Sequence, residues 1–456
     1  MKLNVENFGK IKSASVNLDG YSIFVGDNNS GKTYLMQLIY GVFDAVRNMF
    51  EIDMIPSFHI PTNENPMEIN SDNVQDVLNL INAWLDRKKN KIVKATFNFD
   101  IDVGKIWLTC AKKIPSILIK PAVKDESGWG SDEEFSCYDI FIDNKKGGGF
   151  AISKDLGPGM TESDQINSLL CGYVFNILVY GDNYYTECLY LPACRSGLNL
   201  LYKDVVGAYA SKFVSHMSFM DFRDRKSVNP GEKLGLTKPI FDYMLFLQRY
   251  KKDLETEHQC KALISFINEN ILHGGRIDRD EDGEIRYFIE KEKALPLHVS
   301  SSMVNEISPI ILFLTSIDRI KNIFYDEIET SQHPKTQLQL ARLLNRLVNA
   351  GFKMVVSTHS DTMAAAISNL VALSFAKDKE KKCKMLGYEN DDLLRKDVVH
   401  AYQFIKDDEG RSIVTEIEKF NELGMGYDFS LFSEVSNKIF NDAKTIYGED
   451  DVGSKC

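Results

Sequence analysis

"IFVGDNNSGKTYLM", Ile23 to Met36, decides the fold. An apolar run ends in Gly26, four residues pass, and Gly31-Lys32-Thr33 opens a segment whose apolar residues recur at helical spacing: Leu35, Met36, Leu38, Ile39, Val42, Phe43 and Val46. A strand entering a helix through Gly-x-x-x-x-Gly-Lys-Thr is the pattern of a loop that holds nucleotide phosphates. Gly26 and Gly31 let the backbone curl so that loop N–H groups, across Asn28, Asn29 and Ser30, face the phosphates. The helix that starts near Lys32 adds its positive N-terminal end. Lys32 is placed to reach the β- and γ-phosphates, and the Thr33 hydroxyl to help hold Mg²⁺. ATP and Mg²⁺ are therefore the expected ligands.

Such a loop needs a metal-holding carboxylate and a group that orients water. "IFYDEIETSQHP", Ile323 to Pro334, supplies both at the end of an apolar strand. Asp326 is expected to hold Mg²⁺ through water, and Glu327 to orient and deprotonate the attacking water. A third strand, "MVVSTHSD", ends in His359, which can hydrogen-bond the γ-phosphate. Ligands bind at the carboxyl edge of parallel sheets, where all three strand ends fall.

Composition bounds the rest. The 456 residues can bury a large core and suffice for two to three structural units. Lys+Arg is 54 against 65 Asp+Glu, a net charge of −11, which argues against bulk non-specific DNA binding. No run of about 18 apolar residues and no signal-peptide pattern occurs, so a cytoplasmic protein with no membrane contact is expected. The eight cysteines are scattered without Cys-x-x-Cys, as reduced thiols would be.

Along the chain, two strands are expected over residues 1–25, and a helix near 73–85. Strands are expected through "KIVKATFNFDIDVGKIWLTCAKKIPSILIKPAV", "FSCYDIFIDNKKGGGFAISK" and "GYVFNILVYGDNYYTECLYLPA". Leu198 to Ile271 reads as helical, with "IFDYMLFLQRYKKDLETEHQCKALISFINENIL" a long arm or lid. Its amphipathic stripe must bury against a partner or against the chain's own head. A hairpin turns at Asp282-Gly283. Alternating helices and strands from Met303 onward imply a parallel sheet covered on both faces, and "KDKEKKCK" reads as a solvated loop. The boundaries follow: an N-terminal ATPase lobe over 1–197 with a β-rich insertion, a helical insertion over 198–275, a C-terminal ATPase lobe over 276–400, and a helical tail over 401–456. Basic clusters at Arg87–Lys91, Arg223–Lys226 and Arg249–Lys252 are either solvated surface or a nucleic-acid contact.

"GDNNSGKT", "YDEIETSQHP" and "VVSTHSD", in that order, resemble ABC-type ATPase heads of the SMC and OLD kind. Closest in pattern are the bacterial AAA-family ATPases of anti-phage systems, such as the OLD, Septu, retron-linked and PARIS ATPases. "LYLPACRSG" (Leu189–Gly197), "ILHGGRIDRDEDGEIRYF" and "LPLHVSSSMVNEISPI" also resemble segments of that group. The resemblance implies an α/β head: a P-loop sheet flanked by helices, an antiparallel β subdomain, a helical insertion and a short helical tail. It further implies a head-to-tail dimer or higher homo-oligomer, with Ser301 and Ser302 as a signature loop contacting a γ-phosphate across the interface. Met303 stands at the usual glycine of that loop, and an ordinary helix N-cap is the alternative. His333-Pro334 resembles the interface D-loop, with Gln332 for its usual leucine and Ile328 for the proline after Glu327. No Q-loop glutamine stands out. Arg195 faces phosphate, a partner or a structural salt bridge. OLD nucleases carry a metal-binding domain after the histidine strand; the short stretch after Leu373 is not expected to form one. The expectation is a slow ATPase controlling a separate effector, a nuclease or toxin, in phage defence. The alternatives are a DNA-repair head of the RecF or SMC kind and a non-hydrolysing scaffold.

Overall fold

The computed structural model describes residues 1–47, 60–110, 114–124, 128, 130–155, 161–180, 187–217, 235–280, 283–289, 293–419 and 426–447. The chain runs through β1 (Lys2–Phe8), β2 (Ile11–Asn17), β3 (Tyr21–Gly26), α1 (Lys32–Arg47), β4 (Met67–Ile69), α2 (Val74–Phe97), β5 (Val103–Thr109), β6 (Ile117–Pro121), β7 (Phe135–Ile142) and β8 (Lys145–Ser153). It continues through α3 (Glu162–Tyr180), β9 (Glu187–Leu191), α4 (Arg195–Met217), α5 (Lys238–Arg249), α6 (Leu254–Gln259), α7 (Lys261–Asn270), β10 (Arg276–Arg279), β11 (Ile285–Phe288), β12 (Ala294–Pro296) and α8 (Ser302–Leu314). The last elements are β13 (Ile320–Tyr325), α9 (Pro334–Asn349), β14 (Lys353–Thr358), α10 (Asp361–Ser374), α11 (Lys379–Leu386), β15 (Val399–Lys406), β16 (Ser412–Glu416) and α12 (Ser430–Tyr447).

One sheet organises the molecule, in the order β5-β1-β2-β16-β15-β3-β14-β13-β9. Its strands β15, β3, β14, β13 and β9 pair in parallel, so the ends of β3, β13 and β14 share one edge. Both faces are covered, which is why these strands read as continuous apolar runs. Along β3, Tyr21, Ile23 and Val25 join one core while Phe24 joins the other. Along β13, Ile323 and Tyr325 part from Phe324 in the same way. The first core holds α1 and α2; the second holds α5, α7, α8, α9 and α10. Each of the many Leu, Ile, Val and Phe side chains buried there contributes about 1.5–3 kcal/mol relative to exposure.

Helices α1 and α2 meet at Gly41, where a Cβ would stand 2.0 Å from Thr96 Oγ1. Gly41→Ala is therefore expected to force the helices apart and cost about 1–3 kcal/mol. Thermal unfolding checks this, and an unchanged melting temperature would refute the close approach.

The fold class holds: a P-loop sheet flanked by helices, with antiparallel sheets β4-β6-β7-β8 and β10-β11-β12 beside it. Several local expectations do not. Residues 1–25 form three strands. Lys91–Phe97 and Gly172–Tyr180 extend α2 and α3, not strands. Apolar Ile92, Val93 and Phe97 recur at helical spacing and bury on α2, which outweighs their β preference. "KDKEKKCK" forms most of α11, a helix capped by Gly387. The expected long arm is three helices, α5 to α7. The stripe of α5, Phe241, Tyr243, Met244, Phe246 and Leu247, is buried in the chain's own second core. The segment from 401 is not a helical tail: β15 and β16 lie inside the main sheet, and among its described residues only α12 is helical. The hairpin joins β10 to β11 with Gly283 at φ +75, while Asp282, the cluster Arg223–Lys226 and Cys456 lie outside the described residues. Among the described residues the other seven cysteines form no disulfide. Among the described residues no helix is long and apolar enough to cross a membrane.

Candidate nucleotide site

β3 ends at Gly26, whose φ of +153 and close approach leave no place for a side chain: a Cβ would stand 3.0 Å from Phe404 Cβ on β15. Gly31, at φ +99, lies under Ile11. Between them Asn28 and Asn29 are exposed and Ser30 is buried, its carbonyl accepting from Ser412 Oγ on β16 at 2.6 Å. β15 and β16 thus brace the loop from a part of the sequence that carries no motif.

The loop lies in a cleft of about 990 Å³ lined by Asn28 to Tyr34, Glu327, His359 and, across from them, Lys10, Phe99 and Arg411. Lys32 is 4% exposed, and its ammonium donates to the carbonyls of Gly26 (2.7 Å) and Asp27 (2.8 Å). Burial pushes it down to about 8, against the pull of Asp326, Glu327, Asp27 and Glu329. His359 Nδ1 is 3.5 Å from this ammonium, and burial, then the Lys32 charge, hold the imidazole below its ordinary value. It is thus biased toward its neutral form, able to donate or accept one hydrogen bond.

Asp326 is 2% exposed and gathers three hydroxyls. Thr33 Oγ1 (3.2 Å) and Ser357 Oγ (2.5 Å) donate to Oδ1, and Tyr190 OH (3.0 Å) donates to Oδ2. Glu327 is the more exposed carboxylate; its Oε1 stands 4.0 Å from His359 Nε2 and Thr330 Oγ1 donates to its Oε2 at 3.4 Å. Its φ is +46, a left-handed conformation costing about 1–2 kcal/mol for a residue with a Cβ. The strain is held from both sides. Glu327 N donates to Ser357 Oγ at 2.9 Å, and Arg195 donates to the carbonyls of Asp326 (2.8 Å) and Glu327 (3.1 Å). Arg195 is fully buried, paired with Glu306 at 2.5 Å and stacked on Tyr325, so it is a structural cation and faces no open phosphate path.

The fold therefore brings Gly26, Asn28 to Thr33, Asp326, Glu327 and His359 together. Ser301, Ser302 and His333 stand apart from the cleft lining and exposed. Ser301 caps α8, accepting from Val304 N at 3.4 Å, and His333 caps α9, accepting from Lys335 N at 3.3 Å. Within one protomer both are ordinary helix caps. Nothing in the sequence singles out Tyr190 and Ser357, which lie inside "LYLPACRSG" and "VVSTHSD". A hydroxyl next to a strand end is too common to stand out. Of the basic clusters, Arg249 pairs with Glu187 and Asp318, Lys252 with Glu257 and Asp278, and Lys89 with Asp86.

The buried Lys32 sets a pH dependence. ATP affinity is expected to fall as pH rises through about 8, because only the ammonium attracts phosphate. Fold stability moves the other way: a lysine depressed from 10.5 to about 8 binds fewer protons folded than unfolded between those values, so stability rises there with pH. Calorimetric ATP titration beside thermal unfolding across the alkaline range tests both signs.

The chain belongs to the AAA ATPase domain family, which matches over residues 1–164 and 243–364, and nucleotide binding is the property of that class. No curated protein matches it. Among solved structures it is similar to an SMC head bound to the C-winged helix domain of ScpA, at 12% identity over 91% of this chain and 96% of that one, with a TM-score of 0.36. It is also similar to the SMC head domain from Thermotoga maritima, at 11% identity over 91% of this chain and 98% of that one, with a TM-score of 0.34. A Pyrococcus furiosus Smc head with an extended coiled coil, bound to the C-terminal domain of ScpA, has 12% identity, coverage of 96% and 98%, and a TM-score of 0.34.

Proposed function

We propose that the chain hydrolyses ATP as an ABC-type head and that its nucleotide state controls a separate effector protein, a nuclease or toxin, in anti-phage defence. The observation that carries the ATPase reading is the meeting of Lys32, Thr33, Asp326, Glu327 and His359 at one sheet edge. ATP enters the cleft with its phosphates against the loop amides and the start of α1. Lys32 turns from the Gly26 and Asp27 carbonyls to the β- and γ-phosphates. Thr33 and Asp326, a hydroxyl and a carboxylate, suit a hard cation, and Mg²⁺ held there would neutralise phosphate charge. Glu327 takes a proton from water as the water oxygen attacks the γ-phosphorus and the bond to ADP breaks. Neutral His359 hydrogen-bonds the γ-phosphate.

Ser301 and Ser302 open α8 away from the chain's own cleft, so in this reading they meet the γ-phosphate of a second copy in a head-to-tail dimer or larger assembly, with His333 at the interface. Nucleotide should then tighten assembly by mass action. Light scattering with and without Mg-ATP is expected to show a larger species with nucleotide, and a monomer under both conditions would rule the shared site out. Effector control is tested by co-purification of the neighbouring gene's product. DNA-stimulated turnover with no co-purifying protein would favour direct action on DNA instead.

A further inference from the structure

The bonds that hold Glu327 lead out of the cleft to α8. Arg195, the first residue of α4, donates through Nη1 to the carbonyls of Pro192 (2.9 Å) and Asp326 (2.8 Å), and through Nη2 to that of Glu327 (3.1 Å). Its carboxylate partner is Glu306, 1% exposed, on α8. Glu306 lies four residues after Ser302, on the same face of the helix and one turn from its N-terminus. Ser196 Oγ donates to the other Glu306 oxygen at 2.5 Å, and Asn199 Nδ2 donates to the Asn305 carbonyl at 2.8 Å. The start of α4 and the first turns of α8 are thus tied at successive points, and both must move together. A fully buried guanidinium spanning three carbonyls leaves the strained backbone of Glu327 no freedom to shift alone.

We propose that Arg195 and Glu306 are a positioning pair that couples the N-terminus of α8 to the backbone of Glu327, so that phosphate docked on α8 sets the Glu327 carboxylate in the chain's own cleft. The proposal rests on the reading that α8 receives the ATP of a second copy. Occupancy of one cleft then reaches the chemistry of the other: the second ATP is hydrolysed by a carboxylate aligned through the first. The consequence is positive cooperativity in the ATP dependence of turnover, carried by this pair.

Three variants separate coupling from support. Glu306→Gln keeps shape and the Ser196 bond but discharges the pair. Arg195→Lys keeps charge but cannot span the carbonyls. The double replacement Arg195→Met with Glu306→Leu removes the pair without leaving a buried charge alone. All three are expected to bind ATP and assemble as the wild type does. Their kcat should fall by ~10- to 100-fold, as for a displaced reacting group, and their Hill coefficient should fall to about 1. Asp392→Asn breaks a buried pair with Arg342 and Arg346 elsewhere; it should lower the melting temperature yet keep kcat and cooperativity. Unchanged kcat and cooperativity in Glu306→Gln, or their recovery in the stable double variant, would overturn the proposal. Loss of ATP affinity in step with kcat would reduce the pair to structural support. Should the variants not fold, hydrogen exchange on the wild type decides: Mg-ATP must protect the first turn of α8 and the amides of Glu327 and Ile328 together, and protection of α8 alone refutes coupling. If the wild type neither assembles with ATP nor depends on Glu327, it is the site reading that fails.

Discussion

Glu327→Gln protein is expected to bind ATP and keep it, with turnover slowed at least ~100-fold, the range for loss of a general base. The amide preserves size and the contact from Thr330 but cannot take the proton. Groups that act on water affect the chemical step far more than binding. Asp326→Ala should behave differently, weakening Mg-ATP binding, because three hydroxyls converge on that carboxylate and would lose their common acceptor. Radiolabelled ATP retention beside phosphate release distinguishes the two. In cells, the trapped Glu327→Gln state should freeze the effector either held or released. Normal hydrolysis by this variant would remove Glu327 from the mechanism. Trapped ATP with unchanged effector retention would leave the ATPase standing and end the switch hypothesis.

Lys32→Ala should abolish measurable ATP binding and, with it, biological activity. The ammonium is the principal protein charge on the terminal phosphates in such a loop. In the structure it is buried on the carbonyls of Gly26 and Asp27, so the loop keeps a lysine-shaped place at the phosphate position. The fold should survive, because removing a buried cation with a depressed proton affinity relieves a desolvation cost. Calorimetric titration with ATP and circular dichroism check the two halves, and wild-type affinity in the variant would sink the phosphate-loop reading.

What the sequence made legible was which residues meet at the strand ends. Gly26 to Thr33, Asp326-Glu327 and His359 each announce themselves locally, by an apolar run that stops at a residue of the right type. Parallel pairing then puts them on one edge without further information. What supports them was hidden, because support is made of common residues far apart in the chain. Tyr190, Ser357 and Ser412 are ordinary hydroxyls until the fold sets them against Asp326 and the Ser30 carbonyl. Arg195 could be named but not assigned, since its partner Glu306 is distant in sequence and reads as a helix residue. Lys91–Phe97 reads as a strand in the sequence because alternation and helical recurrence coincide over so few positions. β15 and β16 follow the last motif and carry none of their own, so nothing local marks their place beside β3 and β2.

The placement of β15 and β16 bears on when the protein can first work. They separate β3 from β2, so a nascent chain still lacking residues 399–416 has its phosphate-loop strand open along one edge and a second open edge on the β1-β2 hairpin. The loop is also without Phe404 behind Gly26 and Ser412 beneath Ser30. Exposed edges of this kind invite pairing with other chains, and the late, long-range closure makes assembly of the sheet slow. A chain still lacking these strands has its phosphate loop without the two contacts that brace it, so the site is completed only after residues 399–416 join the sheet.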